Sequence, residues 1–139
     1  MHQDYEDDLL PKSCWELLKT NNTHLVDCRT NPEWQFVGVP DLSSLNKKVI
    51  LIEWQIFPHM SLNERFHEDI QNQDVNVESN VILICRSGGR SKSAAEYLSS
   101  KGYKHCFNCL YGFEGVHDKN DHRGNVNGWK FDNLPWKQI

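Results

Sequence analysis

The sequence has no excess of positive charge. Its 139 residues include 15 lysines and arginines against 19 aspartates and glutamates, which gives a net charge of −4. This balance offers no electrostatic basis for nucleic-acid binding. No apolar run approaches the roughly 18 residues that a membrane-spanning helix needs, and Met1-His2-Gln3-Asp4 is unlike a secretory signal. We therefore expect neither a nucleic-acid nor a membrane partner.

The sequence also lacks a disulfide framework. Its five cysteines are odd in number and scattered. Without a secretory signal, this pattern predicts reduced thiols in a cytoplasmic compartment. The length favours one domain with a real core. Acidic residues are concentrated near the start, which predicts a solvated acidic tail over residues 1–10 and a single domain over residues 11–139.

Residues 81–95 combine an apolar run, a cysteine and a basic loop with two glycines. The run 81–84 does not alternate with polar residues, which is typical of a strand buried on both faces. Two glycines then allow a tight turn, and a helical pattern follows. Cys85 is therefore predicted at the carboxyl end of a strand, facing the amino end of a helix. Open α/β sheets place their ligands at this edge.

The predicted surroundings of Cys85 favour a thiolate over a thiol. Inward loop N–H groups form a nest for an anion, and the helix terminus adds about half a positive charge. Arg86 and Arg90 add formal charges beside the sulfur. We expect an ionised, accessible sulfur in an anion-binding loop.

Strand and helix patterns alternate along the rest of the chain. Strands are predicted over residues 24–29, 48–54, 81–85 and 103–110, and helices over residues 11–18, 62–70 and 91–101, with another helix start at residue 31. Ser13 and Glu16 have capping-box spacing. Alternation of this kind predicts a mainly parallel sheet covered by helices on both faces. Asp27 and Arg29, at a strand end, are interpreted as structural residues that hold neighbouring loops.

The chain resembles the single-domain rhodaneses, which are sulfurtransferases. Residues 25–29, followed by Glu33, are similar to the early Asp-x-Arg…Glu signature of that family. Residues 85–91 are similar to its Cys-Arg-x-Gly-x-Arg-Ser active-site loop. Later markers carry the resemblance over nearly the whole predicted domain, and they include Gly112, Gly115 and Trp129.

The resemblance implies a doubly wound α/β domain around a five-stranded, mainly parallel sheet. It also implies that Cys85 takes a sulfane sulfur from a small anionic donor such as thiosulfate, holds it as a persulfide, and passes it to cyanide or a thiol. No metal and no organic cofactor are implied. The candidate substrate-binding residues are Arg86, Ser87, Gly88, Gly89, Arg90 and Ser91, and the structural motif consists of Asp27, Arg29 and Glu33.

Two features depart from the family pattern. A polar insert, residues 117–124, separates Gly112 from Trp129. We hypothesise that this insert lies near the mouth of the site and alters the choice of acceptor. Cys28 occupies a position that is usually aliphatic, and we interpret it as a small buried hydrophobic residue.

Three other functions are consistent with parts of the pattern. A cysteine phosphatase or arsenate reductase uses a similar loop, but phosphatases place the arginine six positions after the cysteine, where Ser91 stands here. A zinc site is the second alternative, because its ligand spacing is partly matched by Cys106, Cys109, His117 and His122, although the cysteines fall in a predicted core strand. A rhodanese-like binding module, or a relay that passes sulfur to an acceptor protein, is the third alternative.

Overall fold

A five-stranded parallel sheet forms the centre of the computed structural model, which describes residues 4–139. Its strands are β1 (Asp7–Leu9), β2 (Thr23–Asp27), β4 (Ile50–Leu51), β7 (Asn80–Ile84) and β8 (His105–Cys109). Their order across the sheet is β1-β8-β7-β2-β4, and every neighbouring pair is parallel. The predicted α/β fold with a mainly parallel five-stranded sheet is therefore confirmed.

The helices and two short two-stranded sheets surround this sheet. The helices are α1 (Pro11–Leu18), α2 (Asn31–Val37), α3 (Phe66–Gln71) and α4 (Gly89–Ser100), with a 3-10 turn over Ser43–Leu45. The short antiparallel pairs are β3 (Val39–Pro40) with β9 (Trp136–Lys137), and β5 (Gln55–Ile56) with β6 (Ser61–Leu62). Among the helices described, none has the length and apolar character needed to span a bilayer.

Strand β7 separates two hydrophobic cores. Val81 and Leu83 point into a core shared with α3 and α4, while Ile82 and Ile84 point into a core shared with α1. All four side chains are fully buried. The non-alternating run was expected to be covered on both faces, and the structure confirms it. Trp129, a late marker of the family pattern, is fully buried within the second core.

The prediction of a solvated acidic tail is wrong for residues 7–9. This segment forms β1 at the edge of the sheet, where Asp8 aligns with Asn108 of β8. Tyr5, just before the strand, is buried in the core shared with α4. A three-residue strand rich in acid carries too little periodicity to be recognised, and its pairing depends on a partner about 100 residues away.

Three local predictions also differ from the structure. Helix α1 begins at Pro11, so Ser13 lies inside the helix and does not form the predicted capping box. The predicted strand 48–54 is regular only over Ile50–Leu51, which form the edge strand β4. Leu62 matched a helical spacing, yet it lies in β6 and is 59% exposed. The helix begins only at Phe66.

A buried ion pair holds the end of β2 against the loops around it. Arg29 donates two hydrogen bonds to the Asp27 carboxylate, at 2.9 and 2.6 Å, and both side chains are fully buried. The same guanidinium donates to the Gly38 carbonyl at 2.7 Å and lies 4.4 Å from the ring centre of Phe113. One side chain therefore joins β2, the segment after α2, and the turn at residue 113.

We expect Arg29→Met to lower the free energy of unfolding by about 3–5 kcal/mol, because the substitution leaves a buried carboxylate without its partner. The measurement is urea unfolding followed by circular dichroism. The matched control is Arg65→Met, since Arg65 forms an exposed pair with Glu68 and such pairs contribute less than about 1 kcal/mol. Equal losses in the two variants would contradict the structural role assigned to Arg29.

Candidate active site

Cys85 follows directly after β7, and α4 begins four residues later at Gly89. The helix therefore starts two residues before the predicted boundary. Gly88 caps it with a φ of +112°, a backbone conformation that side chains other than glycine adopt only with strain. This turn brings the first N–H groups of α4 back toward the strand end. The predicted arrangement of strand, cysteine, loop and helix is confirmed.

The sulfur of Cys85 lies among hydrogen-bond donors. The backbone N–H groups of Gly88 and Ser91 donate to Sγ at 3.2 and 3.4 Å, and the Ser91 hydroxyl oxygen lies 3.2 Å from it. Inward N–H groups at a helix terminus stabilise negative charge. The loop can therefore hold an anionic sulfur at this position.

The loop carbonyls are held away from the sulfur by the turn that follows β8. The N–H of Phe113 donates to the Cys85 carbonyl at 2.8 Å, and the N–H of Glu114 donates to the Arg86 carbonyl at 2.9 Å. Gly112 makes this approach feasible, because a Cβ there would lie 2.4 Å from the Cys85 oxygen. The family marker at Gly112 thus has a physical reason that sequence spacing did not reveal.

Arg90 is bound to Glu33. Its guanidinium donates to the two carboxylate oxygens at 2.7 and 3.0 Å, in a half-buried position. Burial alone would raise the pKa of Glu33, but the hydrogen bond and charge of Arg90 lower it to about 2. The family resemblance places Arg90 among the substrate-binding residues and Glu33 in a structural motif. The structure joins them into one ion pair between α2 and α4.

A cleft of about 750 Å³ opens over the loop. Arg86 and Arg90 line it from the loop, and Met60 lines it from the β5–β6 hairpin. The insert contributes His117, Asp121, His122 and Arg123. The insert therefore lies beside the loop, as hypothesised from the sequence.

Cys85 itself is only 1% exposed. The expectation of an accessible sulfur is therefore wrong for this conformation, because the loop and the first turn of α4 close around the side chain. Arg86 is exposed, Ser87 is half-buried and Gly89 is exposed. A donor or acceptor reaches the sulfur only if it is small enough to pass between these residues or if the loop opens.

The insert is held in shape by its own hydrogen bonds. Asp118 accepts hydrogen bonds from the N–H groups of Asn120 and His122, at 2.8 and 3.0 Å, and from the side chain of Asn125 at 3.0 Å. Arg123 donates to the Gly115 carbonyl at 2.6 Å. These contacts give the insert a defined conformation on one wall of the cleft.

The other cysteines are thiols in apolar surroundings. Cys28 is fully buried, donates to the Ile84 carbonyl at 3.4 Å, and has a pKa raised well above its ordinary value by burial. Cys106 and Cys109 belong to different cores and so lie on opposite faces of β8. They do not converge on one ion, and the described residues contain no cluster of three or more metal-ligating side chains.

One polar contact behind the cysteine was not predicted from the sequence. The Ser91 hydroxyl lies 2.6 Å from Oδ1 of Asn108, and Nδ2 of Asn108 donates to Asp8 at 3.0 Å. An asparagine within a predicted buried strand is the one sequence signal for this contact, since buried polar side chains need hydrogen-bond partners.

Fold and loop together define an α/β domain that presents one cysteine at the carboxyl edge of a parallel sheet. The family model described as "Rhodanese-like domain" matches residues 10–119, and the chain belongs to this family. An uncharacterized protein of Rickettsia conorii is 38% identical over 122 residues, which cover 87% of this chain and 88% of the relative. An uncharacterized protein of Rickettsia prowazekii is 36% identical over the same length, with the same coverage.

Solved structures share the fold. The crystal structure of Rv0390 from M. tuberculosis has 42% sequence identity and a TM-score of 0.87, and the match covers 97% of this chain and 99% of that chain. The solution structure of the polysulfide-sulfur transferase homodimer from Wolinella succinogenes has 20% identity and a TM-score of 0.64. That match covers 98% of this chain and 80% of the other, and it supports the fold alone.

We expect Glu33→Gln to lower the free energy of unfolding by about 2 kcal/mol at neutral pH, because it removes a charge-assisted hydrogen bond. Wild-type Glu33 has an ordinary pKa of 4.5 and a folded pKa of about 2. Since the folded pKa is depressed, the ion pair stabilises fully above pH 4.5 and its contribution is lost as the pH falls toward about 2.

The measurement is the unfolding free energy of wild type and variant over a pH series. The two curves should converge on the acid side. Glu68→Gln, which disrupts an exposed pair with Arg65, is the matched control and should change stability little at any pH. A difference that stays constant down to pH 2 would show that ionisation of Glu33 is not its source.

Proposed function

We propose that this protein is a sulfurtransferase that carries a sulfane sulfur as a persulfide on Cys85. The observation that carries the proposal is the sulfur of Cys85 accepting hydrogen bonds from the N–H groups of Gly88 and Ser91. Membership of the rhodanese-like family supports it, and one protein of the same fold is named a polysulfide-sulfur transferase. The donor is a small sulfur anion, with thiosulfate as the test compound.

The reaction follows from thiolate chemistry. The Cys85 thiolate attacks the outer sulfur of thiosulfate, a new S–S bond forms, and the S–S bond of thiosulfate breaks with its electron pair leaving on sulfite. The persulfide on Cys85 is then attacked at its outer sulfur by cyanide or a thiolate. That step releases thiocyanate or a new persulfide and restores the Cys85 thiolate. The loop N–H groups stabilise the anionic sulfur in both steps.

Arg86 is the side chain that we assign to donor binding. It is exposed and lines the cleft. Arg90 also lines the cleft, but its charge is compensated by Glu33. We therefore assign Arg90 to shaping the loop, and we assign the backbone of Ser87, Gly88, Gly89 and Ser91 to surrounding the transferred sulfur.

The acceptor enters past the insert. Arg123 and two histidines line the same cleft as Arg86, and Glu114 and Asp121 line it as well, so the mouth offers a nucleophilic acceptor polar contacts of both charges. A small polar thiol is the acceptor that we assign, and a sulfur-acceptor protein is the alternative. All five cysteines are unpaired thiols, which supports a reducing compartment such as the cytoplasm.

Incubation with thiosulfate should add the mass of one sulfur atom to the intact protein, and cyanide should remove it with release of thiocyanate. Cys85→Ser should abolish the gain because the nucleophile is lost. Cys28→Ala, which removes another buried thiol near the site, should retain it. Absence of the mass gain in the wild type would overturn the proposal. Hydrolysis of an aryl phosphate without formation of a persulfide would indicate phosphatase chemistry instead.

Arg86→Ala should raise the KM for thiosulfate about tenfold, because a charge-assisted hydrogen bond contributes about 1.5–3 kcal/mol. Steady-state release of thiocyanate measures the effect. Lys92→Ala, at an exposed position of α4, removes the same charge nearby and should leave KM unchanged. A similar rise in both variants would indicate a general effect of positive charge.

A further inference from the structure

A chain of hydrogen-bonded side chains runs from the sulfur to the edge of the sheet. The Ser91 hydroxyl oxygen lies 3.2 Å from Sγ of Cys85 and 2.6 Å from Oδ1 of Asn108. Nδ2 of Asn108 donates to Oδ1 of Asp8 at 3.0 Å, and the Tyr5 hydroxyl donates to the same oxygen at 2.7 Å. The chain therefore joins α4, β8 and β1 behind the reactive loop.

The direction of this chain follows from the number of protons available. An ionised Asp8 only accepts hydrogen bonds, so the amide NH₂ of Asn108 must face it. The amide oxygen of Asn108 then faces Ser91. A hydroxyl has one proton, and in this arrangement Ser91 donates it to Asn108.

The Ser91 oxygen consequently presents a lone pair to the sulfur. A lone pair suits a Cys85 thiol, whose S–H can donate to it, and does not suit a thiolate. For Ser91 to stabilise the thiolate, its proton must turn from Asn108 to the sulfur. Asn108 is 2% exposed, and among residues 4–139 Ser91 is the donor to its amide oxygen. This rotation of the hydroxyl therefore leaves the buried amide oxygen of Asn108 without a donor, which is unfavourable.

We propose that Asp8 and Asn108 are positioning residues that direct the Ser91 hydroxyl proton away from the Cys85 sulfur and so favour the thiol in the resting protein. When Cys85 ionises, its proton passes to solvent and the Ser91 hydroxyl rotates, with no bond to its own proton broken. The consequence for reaction rate rests on the proposed function, since the thiolate attacks the donor. The effect on the ionisation of Cys85 can be measured without a sulfur donor.

Other titratable and charged groups lie around Cys85 or line the cleft above it, and the variants of the test leave all of them in place. They are the thiols Cys28 and Cys109, the ion pair of Arg90 and Glu33, the exposed Arg86, and, in the cleft, Glu114, His117, Asp121, His122 and Arg123. Burial raises the pKa of Cys28, and a hydrogen bond with Cys14 together with burial raises that of Cys109. Arg90 remains charged because its hydrogen bond to Glu33 raises its pKa.

The test is the ionisation midpoint of Cys85, followed by thiolate ultraviolet absorbance with the Cys85→Ser signal subtracted. Asn108→Leu removes the acceptor, and Asp8→Asn lets the Asn108 amide reverse so that its NH₂ faces Ser91. Both variants should lower the midpoint, with an increase of about fivefold in the thiolate-to-thiol ratio at a given pH, equivalent to one neutral hydrogen bond. Asp8→Asn is isosteric at a half-buried position, so it carries the test if Asn108→Leu does not fold.

Two controls distinguish the effect of this chain of hydrogen bonds from a simple effect of charge. Asp7→Asn removes the same charge at the neighbouring exposed position and should leave the midpoint unchanged. In a Ser91→Ala background, Asp8→Asn should have no further effect, because the hydroxyl that transmits it is gone.

An unchanged or raised midpoint in Asp8→Asn, or a shift that persists with Ser91→Ala, would overturn the proposal. If the midpoint shifts as predicted but the protein does not transfer sulfur, the proposed function alone would be refuted.

Discussion

The site depends on two backbone hydrogen bonds from the turn after β8 to the loop carbonyls of Cys85 and Arg86. These hydrogen bonds fix the two peptide groups that follow Cys85 and Arg86, and so fix where the loop begins. The residues that follow then place the N–H groups of Gly88 and Ser91 against the sulfur. The turn is fixed in its own right, since the carbonyl of Gly112 accepts from the N–H of Trp129, a residue buried in the second core.

The ion pairs support the same geometry from the side. Arg29 packs over Phe113 while it binds Asp27, so the buried pair at the end of β2 also supports the turn that orients the loop. Arg90 binds Glu33 and joins the first turn of α4 to α2. Arg90, predicted to bind substrate, therefore acts largely on the protein itself, as does Arg29, which was interpreted as structural. Arg86 retains an exposed side chain at the cleft.

The strand, loop and helix around Cys85 could be predicted because their signals are local. A non-alternating apolar run, a pair of glycines and a helical pattern lie within fifteen residues, and each has one preferred structure. Pairing of Arg90 with Glu33 could not be predicted, because it depends on how α2 and α4 approach one another across the sheet edge. Strand β1 escaped prediction for a similar reason. Its three residues gain their structure from β8, far along the chain.

Strand β1, which the sequence patterns did not predict, is thus the element that contacts the site on the side opposite the cleft. The cleft and insert lie on the side where a donor enters, and they act on binding. Asp8 and Asn108 lie on the opposite side of Ser91, away from the cleft lining. A change there alters the proton available to the sulfur without altering the surface that meets the substrate. Reactivity and recognition can therefore vary separately in this fold, because a single hydroxyl group links the sulfur to the edge strand.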